Sequence, residues 1–228
     1  MSSVAISPGQ SRIGFLASTI GKKVIMAVTG LILFGFVLGH MAGNLQVFLG
    51  PEKLDAYGEA LHSMPGLLWT ARIGLLIAVI LHIWSAVALA ALNQKARPVS
   101  YTKKESIAAS YATRTMMWSG PILAAFIIYH LLHFTFGTPG VHPDFRPGGV
   151  YHNVIAGFQV IPVSAFYILS MILLGMHLHH GIWSMVQTMG LNSPKSDPLF
   201  RRASAAFALL IVIGNVSIPV AVMSGLLK

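Results

Sequence analysis

Five apolar runs divide the chain, with a short polar stretch between each and the next. They cover about residues 24–49, 67–92, 116–136, 154–189 and 203–227. Crossing a hydrocarbon core of about 30 Å takes about 20 helical residues, and every run reaches that length. The fourth is over-long and carries Pro162, so its first part is expected to be an interfacial or kinked segment. No polar stretch is left over for a soluble domain. The pattern therefore predicts an all-α integral membrane protein, a single domain over 1–228 built as a bundle of five transmembrane helices.

Composition agrees: 55% of residues are hydrophobic and only 9% are charged, where a soluble domain carries roughly a quarter. The formal charge of +9 could point to nucleic acid, but the basic residues sit in short loops between apolar runs, where they act as topology signals and membrane lipid is the partner. Arg12, Lys22 and Lys23 precede the first run; Lys95, Arg97, Lys103, Lys104 and Arg114 follow the second; Lys195, Arg201 and Arg202 follow the fourth. The opposite loops and the end of the chain hold only Lys53, Arg72, Arg146 and Lys228. The positive-inside rule then places the amino terminus in the cytoplasm and the carboxyl terminus outside a cell's inner (cytoplasmic) membrane. The polar first 20 residues and the long run behind Lys22-Lys23 read as no cleaved targeting sequence. Of the outer loops, one holds Glu52, Asp55, Glu59 and His62; the other, 137–153, is rich in Gly and Pro and reads as irregular.

Ionisable groups inside a membrane are costly and mark functional sites. Here the set is all histidine: His40 in the first run, His82 in the second, His130 and His133 in the third, and His177, His179 and His180 in the fourth. Every acidic residue falls outside the runs, so a proton relay, which normally mixes His with Asp or Glu, is disfavoured. Neutral imidazole bound to a metal accounts for the missing carboxylates. Four helices offering one His each make two pairs, and bis-His ligation holds haem in a helix bundle. The chain has no cysteine, which excludes disulfides, thiolate-held iron–sulphur clusters and haem attached through Cys-x-x-Cys-His.

Helix rise gives the depth of each ligand. His40 lies about 16 Å from the end of its run at Pro51, His130 about 10 Å from Gly137, and His82 about 24 Å from Gly66, with His177 deeper still. His40 is thus expected to pair with His130 nearer the outside, and His82 with His177 nearer the cytoplasm. Gly35 and Gly39 beside His40, and Gly175 and Gly181 around the fourth-run histidines, are small enough for a flat macrocycle or another helix to approach. In the fourth run His177 and His180 share a face while His179 points away; only one of the two is axial, and the other could contact a propionate. His133 stands to His130 as His180 does to His177. Arg72 could pair with a propionate or snorkel. Asn44, Asp55, Glu59 and His62 are the candidate quinone contacts.

With these residues in place, the chain resembles the cytochrome b membrane anchor of succinate dehydrogenase and fumarate reductase, in its single-chain, five-helix, di-haem type. The resemblance runs from about Ser18 to the end. It is carried by Ser18-Thr-Ile-Gly-Lys-Lys, His40-Met-Ala-Gly-Asn44, Tyr129-His130-Leu-Leu-His133 and His177-x-x-x-Gly181-Ile-Trp183-Ser184. It implies two haem b groups with axial ligands His40, His82, His130 and His177. The repeat of His82-Ile-Trp-Ser as His180-Gly-Ile-Trp-Ser keeps His180 in view. It further implies a subunit that does not itself act on succinate, passing electrons between cytoplasmic flavoprotein and iron–sulphur subunits and a membrane quinone, commonly menaquinone. The basic cytoplasmic loops would dock those subunits.

Two other readings compete. One is the haem b subunit of another respiratory complex, such as a hydrogenase or nitrate reductase; one plausible ligand on each of four successive runs weighs against it. The other is a histidine-lined metal or proton transporter, disfavoured by the lack of intramembrane acids and of an inverted repeat. The depth pairing makes a sharp prediction: His130→Ala loses one haem and keeps one, as counted from the reduced haem spectrum per chain; loss of both, or of neither, contradicts the pairing.

Overall fold

The computed structural model describes residues 14–96 and 111–228; Arg12, Arg97, Lys103 and Lys104 of the charge argument lie outside them. The chain is all-α. Its helices are α1 (Thr19–Asn44), α2 (Pro51–His62), α3 (Pro65–Lys95), α4 (Tyr111–His130), α5 (Val150–Gln159), α6 (Ile161–Thr188) and α7 (Asp197–Met223). Among the described residues, five segments are long and apolar enough to cross a membrane: Thr19–Leu49, Pro65–Lys95, Trp118–Thr135, Ile161–Thr188 and Asp197–Met223. The expected five spans are all present, with ends displaced by a few residues. α1 starts earlier than its apolar run because Ser18 caps it, its hydroxyl accepting from the Gly21 N–H at 2.9 Å.

α6 packs along α7, α4 and α1, and α1 packs along α3, so α1 and α6 are the inner pair. The residues buried between helices are often small, such as Ala78, Ser85, Ser164, Ser170, Ser204 and Ala208. Large side chains on α3 such as Leu67, Ile73, Leu76, Ile80 and Val87 are exposed. That distribution is what lipid solvation produces: tails solvate Leu and Ile as well as a core does, while close backbone approach needs small residues.

One end of the bundle differs. There α2 and α5 lie across the helix ends, and Val47, Leu54, Val154, Ile155, Phe158, Tyr167, Ile218 and Val222 form a buried cluster of large side chains. The stretch expected as a loop around Glu52, Asp55, Glu59 and His62 is instead the helix α2. Pro51 at its first position and Glu52 in its first turn start it, and Leu54 and Gly58 are its buried face. The second expected loop is irregular only over 137–149, since α5 begins at Val150.

The over-long fourth run breaks at Val160, whose backbone is extended. Pro162 is the cause. It has no N–H to give the Phe158 carbonyl four residues back, and the Ser164 hydroxyl donates to that carbonyl instead, at 2.6 Å. The Phe158 carbonyl thereby keeps a partner across the break.

Asp55 ties the cap together. Its carboxylate accepts from the Tyr151 N–H at 2.8 Å, in the first turn of α5, where amides lack helical partners. Asp55→Ala is expected to destabilise the fold by about 1 kcal/mol, the usual size of a lost helix cap, with Asp55→Asn retaining most of it. Thermal unfolding of the two variants in detergent measures this; equal stability of Asp55→Ala and the unmodified chain contradicts it.

Candidate functional site

The intramembrane histidines meet in two groups. His40 of α1 and His130 of α4 have ring centres 5.7 Å apart, with their planes nearly perpendicular at 88°. His82 of α3 and His177 of α6 have ring centres 6.2 Å apart at 57°. These are the pairs that helix rise selects. A metal–imidazole bond of about 2 Å, with the ring centre about 1 Å beyond the nitrogen, sets two rings sharing one metal ion about 6 Å apart. Along α6, Tyr167, which touches His130, stands roughly 15 Å from His177, so the two pairs lie at different depths.

Each pair has one member held by a hydroxyl from another helix. In the first, Tyr167 of α6 lies 3.4 Å from Nδ1 of His130 and 3.0 Å from Nδ1 of His133. One hydroxyl proton serves one ring and the oxygen accepts from the other, so the two histidines carry complementary tautomers. The sequence places His130 and His133 on one face, and the chain there widens into a π turn over Leu131–Thr135, with the Phe136 N–H reaching the Leu131 carbonyl at 2.9 Å. In the second pair, Thr29 of α1 lies 3.2 Å from Nδ1 of His82. Phe36 stacks on His40 one turn away, at 5.1 Å and 20°.

Two ring nitrogens are buried without a partner among the described residues: Nδ1 of His177 and Nε2 of His133. His133 is fully buried, with Phe134 at 4.1 Å and His142 at 4.9 Å between ring centres. A Cβ on Gly157 would stand 2.8 Å from its Cε1, so only glycine admits α5 there. His142 is engaged at both ring nitrogens: Nε2 donates to the Asn153 carbonyl at 2.9 Å, and Nδ1 accepts from the Asp144 N–H at 3.2 Å. Beside it, Asp144 is paired with Arg146 at 2.9 Å and His152 at 2.8 Å. The Arg146 hydrogen bond is the main cause holding the Asp144 carboxyl below its ordinary range.

The remaining sequence candidates scatter. His180 lies against Trp183, ring centres 6.3 Å apart. His179 faces α7, its Nδ1 3.3 Å from the Ser204 hydroxyl. Arg72 lies over the Trp69 ring at 5.2 Å. Asn44 donates to the His40 carbonyl at 3.0 Å, and Asp55 is the α5 cap. His62 holds the Gly58 carbonyl at 2.7 Å with Nδ1, and Glu59 is exposed on the same helix. Of the four glycines, a Cβ on Gly35, Gly39 or Gly181 would meet nothing within 4 Å, whereas Gly175 is packed against Val212 of α7. The first three leave open space, and the fourth is a helix contact.

Thr29, Tyr167 and His142 escaped the sequence reading. A signal existed for Tyr167, because a phenol inside an apolar run requires a partner for its hydroxyl. Thr29 gave none, since a threonine in a transmembrane helix commonly bonds its own backbone.

Among the described residues no three or more His, Cys, Asp or Glu side chains gather as a metal-binding group; the histidines work in twos. No protein-family model, curated protein or solved structure matches the chain. Tyr167→Phe removes a partner from two histidine nitrogens, and is expected to lower stability by about 1 kcal/mol, the upper part of the range for hydrogen bonds inside membranes. A melting temperature in detergent equal to that of the unmodified chain contradicts this.

Proposed function

We propose that the chain is the di-haem cytochrome b anchor of a succinate:quinone oxidoreductase, carrying electrons between cytoplasmic flavoprotein and iron–sulphur subunits and a membrane quinone. The observation that carries the reading is the pair of histidine pairs: His40 with His130 and His82 with His177, at two depths, each with ring centres about one metal ion apart. At Gly35, Gly39 and Gly181 nothing lies within 4 Å of where a Cβ would stand, which leaves room for a flat group beside α1 and α6. The unpartnered Nδ1 of His177 supports a site in which a further molecule belongs. The absence of any larger cluster of ligands among the described residues favours two-ligand sites over a zinc or copper centre, which draws three or four ligands together.

Haem b, when bound, supplies one-electron redox chemistry at its iron. The protein's part is to hold and insulate it. His40, His82, His130 and His177 would be the axial ligands. Thr29 and Tyr167 orient two of those rings through Nδ1. Asn44, Asp55, Glu59 and His62 remain the quinone candidates; Asp55 spends Oδ1 on the Tyr151 N–H, Asn44 its side-chain amide on the His40 carbonyl and His62 Nδ1 on the Gly58 carbonyl, which leaves Oδ2, Oδ1 and Nε2 to a ligand. With its Nδ1 proton on the Gly58 carbonyl, a neutral His62 offers Nε2 as acceptor to a quinol hydroxyl.

The test is an optical spectrum of the purified chain. A dithionite-reduced haem b spectrum with two haems per chain is expected, and isolation of the native assembly should bring down a flavoprotein and an iron–sulphur protein. A colourless protein ends the haem reading and favours a transporter. A haem protein isolated with hydrogenase or nitrate reductase subunits moves the chain to another complex.

A further inference from the structure

Among the four paired histidines, His82 has the least ambiguous hydrogen bond. Thr29 has one hydroxyl proton, and its oxygen lies 2.7 Å from the Ile25 carbonyl and 3.2 Å from that of Met26 on its own helix. A carbonyl cannot donate, so the proton is committed there, and toward Nδ1 of His82 the threonine oxygen can only accept. The ring therefore carries its proton on Nδ1 and keeps the Nε2 lone pair unspent. Thr29 is buried, and its branched Cβ stiffens χ1, so the acceptor does not wander. The neighbouring Gly30 lies beside the ring: a Cβ there would stand 3.4 Å from Cε1 and 3.8 Å from Nδ1 of His82, ordinary van der Waals contact.

The other three histidines are held differently. His130 shares the Tyr167 hydroxyl with His133. His177 has a bare Nδ1, and His40 is held by ring stacking on Phe36. We infer that Thr29 is a positioning residue for His82, fixing its tautomer and ring orientation and making it the more electron-rich ligand of the pair it forms with His177. The inference rests on the haem reading proposed above. An acceptor on the far nitrogen of a ligating imidazole raises its basicity. A more basic axial ligand stabilises the ferric over the ferrous state, so Thr29 lowers the midpoint potential of the haem held at this pair and leaves the other untouched.

The test is redox titration of the full-length chain in detergent, followed optically, for the unmodified protein, Thr29→Val and Thr29→Ser. Valine keeps the shape and removes the hydroxyl acceptor, leaving the Met26 carbonyl that also faces His82; serine keeps the hydroxyl and removes a methyl. Thr29→Val is expected to keep two haems per chain and to shift one of the two midpoint potentials upward, with Thr29→Ser returning it toward the original value. If Thr29→Val loses one haem instead, a Thr29→Ser protein with both haems and the original potentials still supports the role. Loss in serine as well assigns Thr29 to packing and overturns it. Two unchanged potentials in a two-haem Thr29→Val protein, or a shift confined to the haem that His130→Ala removes, also overturn it while leaving the proposed function intact. An unmodified chain without haem overturns the proposed function and this inference together.

Discussion

An imidazole placed among hydrocarbon tails must find partners for two ring nitrogens where helices have already spent nearly every backbone donor and acceptor. That constraint organises this bundle. Within reach are the hydroxyls of neighbouring helices, the other imidazoles, and whatever molecule the protein is built to hold. Thr29, Tyr167 and Ser204 serve the first role for His82, for His130 with His133, and for His179. The inner position of α1 and α6 follows from it, because each must present hydroxyls and histidines to neighbours on more than one side.

The two histidine pairs are not equivalent surroundings for the same chemistry. One lies next to the capped end, with Tyr167 joining it to the buried His133 and, through a tilted ring contact, to His142 and the 137–149 loop. The other lies deeper, where His82 meets the Thr29 hydroxyl and the Met26 carbonyl of α1. Under the proposed reading this gives the two haems different polarity around their ligands, and so different potentials, without an acidic residue in the five apolar runs. Buried carboxylates would do the same at far greater cost in a membrane.

Much of this was legible in the sequence. Hydropathy found all five spans, because apolar length is the whole signal. Helix rise paired His40 with His130 and His82 with His177, because depth along a nearly straight helix is linear in residue number. The reading stopped where short-range chemistry decides. α2 reads as a loop because its polar face hides a helix started by Pro51 and held by Leu54. The cap role of Asp55 is not legible, because nothing local reveals a backbone amide 96 residues away. Thr29 was invisible for the same reason: its partner is on another helix.

The break at Val160 separates two tasks that one continuous span would have joined. A residue added within a helix turns everything beyond it by about 100°, so in an unbroken helix from 150 to 188 any change of length in the cap would swing His177 away from His82. Pro162, with Ser164 taking over the lost hydrogen bond, isolates the angular register of α6 from that of α5. The cap and its 137–149 loop are thereby free to vary in length over evolution, while the histidine ladder below keeps its alignment.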